Sequence, residues 1–201
     1  MNPTPGSPHT LRIALVRHGR PTVDLSSVSA QQLEGWIEAY DRAGIDPALP
    51  PPASVRRIAA NADYVLSSDL PRAVESLRTL APGRSGPAER VFREAGLPRL
   101  PASPVRLDPH LWATLARMGW FLGWSSGTES AGRARRRARA AREKLASLAA
   151  DHGSVLLVGH GLMNAMIAWE LRVAGWRGPL WASGSYWSAA VYRKRIAPPS
   201  G

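Results

Sequence analysis

The chain has no cysteine in its 201 residues, which excludes disulfides, thiolate metal sites and cysteine nucleophiles. Lysine is almost missing as well. Lys144 and Lys194 are the only two, and arginine supplies the rest of the 26 basic residues. Acidic residues number 15, so the formal net charge is +11. A charge of that size attracts phosphoesters, nucleic acid or acidic lipid, but it does not specify a fold. No apolar run is long enough to span a bilayer. The opening MNPTPGSPHT has neither the basic start nor the apolar middle of a signal peptide. These absences predict a soluble, cytoplasmic protein. What remains is a 44% hydrophobic composition, sufficient for the core of one domain.

Residues 1–10 read as a loose polar tail and 197–201 as another, leaving a single domain over 11–196. Apolar runs at 11–16, 64–67 and 154–158 read as strands. Residues 90–93 read as a short strand and 186–192 as an edge strand. Helical spacing covers 29–43, where Leu33, Trp36, Ile37 and Tyr40 share a face, then 55–60, 70–80 and 110–118. A long helix is predicted over 129–150, with Ala131, Ala134, Ala138, Ala141, Leu145 and Leu148 on one stripe and most of its arginines off it. A further helix covers 162–173, ended by Gly175. Residues 95–128 read as a helical and irregular cover segment. The alternation of strands and helices predicts an α/β fold with a mostly parallel sheet.

Two histidines share one context. RIALVRHG and VLLVGHG each run from an apolar strand through histidine to glycine, at His18 and His160. In open α/β sheets the carboxyl ends of strands form the ligand crevice, so the two are predicted to meet there. Glycine beside each lets backbone approach a ligand. The helix after His160 offers free N–H groups to an anion. A third strand end, YVLSSDLPRA, delivers Arg72 from the first turn of a helix. Arg17 and Arg72 then grip one tetrahedral anion, because the guanidinium fork matches paired phosphate oxygens. Each piece has a plain structural reading: a satisfied histidine, a serine cap, an incidental arginine.

Taken together and in this order, LVRHG, SSDLPRA and VGHG resemble the histidine phosphatase superfamily, also called phosphoglycerate mutase-like. The resemblance runs from about residue 11 to 192. It implies a three-layer α/β/α sandwich and catalysis through a phosphohistidine, with no metal or cofactor. It also implies that His18 is the nucleophile and that Arg17, Arg72, His160 and Gly161 serve the phosphoryl group. An acid between the second and third motifs protonates the leaving group. Glu94, in FREAGLP, is the candidate for that role, and Glu129 is the runner-up.

The segment after RHG departs from the family pattern. Pro21 and Asp24 stand where a small hydroxyl residue and an asparagine are usual, with Thr22 as a possible compensating phosphate ligand. Pro21 offers neither hydroxyl nor N–H. A metal-independent phosphomonoester hydrolase acting on a small phosphorylated metabolite is the preferred reading. A phosphomutase or a catalytically weak phosphoester binder is the alternative. GRARRRARAAREK keeps a different class open, a module that binds nucleic acid or an acidic surface.

Overall fold

The computed structural model describes residues 9–196. Five strands, β1 (His9–Arg17), β2 (Tyr64–Ser68), β3 (Ala88–Glu89), β4 (Ser154–Gly159) and β5 (Ala189–Ile196), form one sheet in the order β3-β2-β4-β1-β5. All neighbours are parallel except β1 and β5. Six helices join them: α1 (Leu33–Arg42), α2 (Ala53–Ala60), α3 (Pro71–Leu80), α4 (Pro109–Phe121), α5 (Ala131–His152) and α6 (Gly161–Val173).

The central strands are apolar on both faces because helices cover both. Ile13, Leu15, Val155 and Leu157 pack with Ala138, Ala141 and Leu145 of α5 and Ile167 and Leu171 of α6. The alternate residues Ala14, Val16, Leu156 and Val158 pack with Val55 and Ala59 of α2 and Ala73 and Leu77 of α3. This strand period of two builds the three-layer α/β/α sandwich that the motifs imply. A smaller cluster of Ala30, Leu33 and Trp112 joins α1 to α4, placing both helices over the carboxyl ends of the strands.

Several boundaries differ from the sequence reading. β1 starts at His9, so Thr10 pairs with Arg195 and does not belong to a tail. Residues 1–8 and 197–201 lie outside the described residues. Residues 90–93 are not a strand. Ala88–Glu89 is the short β3, and Arg90–Phe92 turns as a 3-10 helix. Phe92 is fully buried, and Arg137 of α5 donates to the carbonyls of Val91 and Arg93, drawing that backbone off the sheet. α1 begins at Leu33, since residues up to 32 are spent in turns closed by Leu33 N–H to the Ser29 carbonyl. β5 begins at Ala189, so Tyr186 precedes it.

The arginine run on α5 is more than a solvated face. Glu170 of α6, nearly fully buried, accepts from Arg135 and Arg139 at 3.3 Å each. Arg137 pairs with Glu129. Half of the run therefore fastens α5 to α6 and to the segments around residues 91–93 and 129. A buried carboxylate with no such partners would carry a large desolvation cost.

Candidate active site

The register of the sheet assembles the site. β1 and β4 are parallel neighbours with Arg17 opposite Gly159, so the next residues, His18 and His160, emerge side by side. The helix after β4 covers one face of the sheet while α2 and α3 cover the other, which opens a crevice between the two strand ends. The two imidazole centroids are 5.1 Å apart. β2 is the other neighbour of β4, so Ser68 reaches His160 from its far side.

One hydrogen bond defines the tautomer of His18. His18 Nδ1 lies 2.7 Å from the Gly19 carbonyl oxygen, which can only accept, so the proton sits on Nδ1 and Nε2 carries the free lone pair. Gly19 N–H donates to Ser76 Oγ at 2.8 Å, and the Ser76 hydroxyl donates to the Arg72 carbonyl at 2.6 Å. These bonds lock the His18 loop to the first turns of α3. Ser68 Oγ accepts the Leu70 N–H at 3.4 Å and lies within hydrogen-bond distance of His160 Nε2, 2.8 Å away.

Both histidines are almost sealed, at 2% and 1% exposure. Burial holds the pKa of His18 well below the ordinary imidazole value, and Arg72 and Arg17 add to this against the opposing Gly19 hydrogen bond. Burial does the same to His160, aided by His18, Arg72 and Arg17. Both rings are therefore neutral near pH 7.

Arg72 is 1% exposed. One of its terminal nitrogens donates to the Tyr40 carbonyl at 2.9 Å and to Asp41 Oδ1 at 3.0 Å. Its guanidinium lies over the Tyr40 ring, and that of Arg17 over the Tyr186 ring, at 4.6 and 4.3 Å. Burial and the neighbouring Tyr186 raise the Tyr40 phenol above its ordinary pKa. Arg17 Nε, Arg72 Nε and His160 Nδ1 are all buried without a hydrogen-bond partner among the described residues. A Cβ on Gly161 would stand 3.6 Å from the Arg17 guanidinium carbon.

Arg17, Arg72 and Glu94 line one cavity of about 620 Å³. The Glu94 carboxylate sits on the N-terminus of α6. Oε1 accepts from Ala95 N–H at 3.0 Å and Met163 N–H at 2.9 Å, and Oε2 accepts from Leu162 N–H at 3.0 Å. The Leu162 and Met163 amides, at the helix N-terminus that the sequence offers to an anion, are thus taken by this side chain. Glu129 is not in the cavity wall; it pairs with Arg137, and Ser130 caps α5.

Thr22 is not brought to the site. It is exposed, its N–H donates to the Gly44 carbonyl, and it does not line the cavity. Asp24 accepts from the N–H and hydroxyl of Ser26, so its charge is spent in a local turn. Among the described residues, no group of three or more His, Cys, Asp or Glu is placed to hold a metal. Ser68, Ser76, Tyr40 and Tyr186 belong to the site but were not singled out by sequence. For Ser68, its place in SSDLPRA was the available signal.

A family model described as the histidine phosphatase superfamily, branch 1, matches residues 13–178. No curated protein matches the chain. Solved structures share the fold at low identity. A mycobacterial glucosyl-3-phosphoglycerate phosphatase is 19% identical with a TM-score of 0.54, over 81% of this chain and 80% of that one. A phosphoglycerate mutase from Bacillus anthracis is 14% identical with a TM-score of 0.56, over 94% and 93%. TTHB049 from Thermus thermophilus is 21% identical with a TM-score of 0.55, over 93% and 99%.

Proposed function

We propose that this chain, which belongs to the histidine phosphatase superfamily, hydrolyses phosphomonoesters through a phosphohistidine on His18. The observation that carries the reading is the set of orphaned buried atoms, Arg17 Nε, Arg72 Nε and His160 Nδ1, gathered around a neutral imidazole. Unpaired buried polar atoms cost free energy, and the two guanidinium charges repel each other. A tetrahedral anion relieves both penalties at once.

The Nε2 lone pair of His18 attacks phosphorus and the ester P–O bond breaks. Arg17, Arg72 and His160 bind the equatorial oxygens, where charge spreads during in-line transfer. Entry of the phosphoryl group displaces the Tyr186 ring, whose centroid is 5.7 Å from that of His18 and which covers Arg17. Glu94 protonates the departing oxygen from Oε2, the oxygen with a single backbone bond. The resulting carboxylate then takes a proton from the water that attacks the phosphohistidine, releasing inorganic phosphate and free His18. The positive charge at the phosphate comes from side chains, so no metal is needed.

A panel of phosphomonoesters at neutral pH with chelator present tests this. Release of phosphate that persists in EDTA and vanishes in His18→Ala is the expected result. Activity that EDTA abolishes and a divalent ion restores contradicts it.

A further inference from the structure

The rest of the cavity wall identifies the group that leaves. Building on the phosphomonoesterase reading, we infer that the substrate's organic part is a bulky, ring-bearing apolar group and not a sugar or other polyol. Beyond Arg17, Arg72 and Glu94, the wall includes an apolar part made by Trp36 and Ile37 of α1, Leu97, and Ala113, Met118 and Phe121 of α4. Met118 and Phe121 are 59% and 60% exposed, the kind of apolar surface a ligand would cover. The volume is in the range that small-molecule sites occupy, and it exceeds what a phosphoryl group needs.

Most polar groups in the same wall are already committed; the His110 ring, edge-on to Trp36 at 5.5 Å, is an exception. Arg93 forks onto Asp69 at 2.6 and 2.8 Å. Asp41 holds Arg72. The Thr114 hydroxyl donates to its own helix at the His110 carbonyl, 2.8 Å away. Arg117 donates to the carbonyls of Ala95 and Gly96 at 2.7 and 3.1 Å. The Trp36 indole N–H is given to the Asp24 carbonyl at 2.7 Å. A sugar brings many hydroxyls that lose water on entering such a pocket, and few partners remain for them. An aromatic or branched apolar group loses nothing and covers Trp36, Met118 and Phe121.

The test compares alkyl esters with leaving groups of similar basicity, so chemistry does not mask binding: naphthylmethyl phosphate, glycerol phosphate and glucose phosphate. kcat/KM is expected to favour the naphthylmethyl ester by about a hundredfold or more. Met118→Ala and Phe121→Ala should each cut that preference about tenfold, the scale on which apolar pockets discriminate. Calorimetry with the matching non-hydrolysable phosphonates reads the same preference without turnover. If no ester is hydrolysed but naphthylmethylphosphonate still binds more tightly than the glycerol analogue, the hydrolase reading fails and the apolar pocket stands. Turnover of glucose or glycerol phosphate at equal or higher kcat/KM, or phosphonates binding equally, overturns the inference.

Discussion

His18 and His160 face each other with ring centroids 5.1 Å apart, each at the end of one of two adjacent parallel strands and each nearly sealed from solvent. Neither imidazole has a carboxylate to stabilise its charged form, and both have arginines that oppose it. This relationship leaves His18, the proposed nucleophile, available without a separate base, because a neutral imidazole is already nucleophilic.

It also fixes a pH dependence. Both folded pKa values are lowered from the ordinary 6.5. Above that value neither state binds a proton at these sites. Below it the unfolded chain takes up protons that the folded protein refuses, so stability falls as pH falls. The expected slope is on the order of 1 kcal/mol per pH unit for each histidine until its folded pKa is reached. Urea unfolding at a series of pH values between neutral and mildly acidic measures it, and replacing either histidine by asparagine should reduce the slope. NMR of the ring nitrogens should show the rings of His18 and His160 still neutral below the ordinary imidazole value. A ring of His18 or His160 that protonates at or above the ordinary value contradicts the electrostatics described.

Gly19 is packed against tryptophan. A Cβ at this position would lie 2.5 Å from the Trp187 ring, whose indole N–H is tied to the Leu49 carbonyl at 2.8 Å. Trp187 itself has a φ of 57°, so its backbone has little room to give. Gly19→Ala is therefore expected to destabilise by about 1–3 kcal/mol, as overpacked sites do. Chemical denaturation measures this directly, and a variant as stable as the parent would show that the ring moves freely.

Glu94 holds the start of α6 and, in the proposed mechanism, also donates a proton. Glu94→Gln keeps an acceptor for the helix amides and loses the acid. Phosphoryl transfer to His18 from an alkyl ester, which leaves as a strong base, should slow by about a hundredfold or more. Transfer from a nitrophenyl ester should change far less. Dephosphorylation should slow equally for both, since the intermediate is the same. Single-turnover kinetics separate the two steps. An equal effect on transfer from both esters would leave Glu94 as a helix cap only.

Much of this arrangement was legible in the sequence, because the buried strands are short apolar runs and the chemistry sits where they stop. β1, β2 and β4 could be read this way, along with His18, Arg72 and His160. Contacts that depend on a distant partner could not. Ser76 matters because Gly19 folds onto it, and nothing in either local sequence says so. The pairings of Arg135 and Arg139 need Glu170 on a different helix. The run at 90–93 has strand-like residues, but Arg137 claims its carbonyls from outside. Glu94 was found by its place between motifs, yet its grip on Leu162 and Met163 becomes visible only once α6 is docked.

The most direct measurement is to trap the covalent intermediate. Enzyme mixed with a phosphate-labelled ester and quenched in alkali within a turnover should carry label that is stable to base and lost in acid, the behaviour of a phosphoramidate. Peptide mapping should place it on His18, with EDTA making no difference and His18→Asn carrying none. A folded enzyme that turns over the ester but holds no acid-labile phosphoryl group, or holds it on a residue other than His18, would contradict the account.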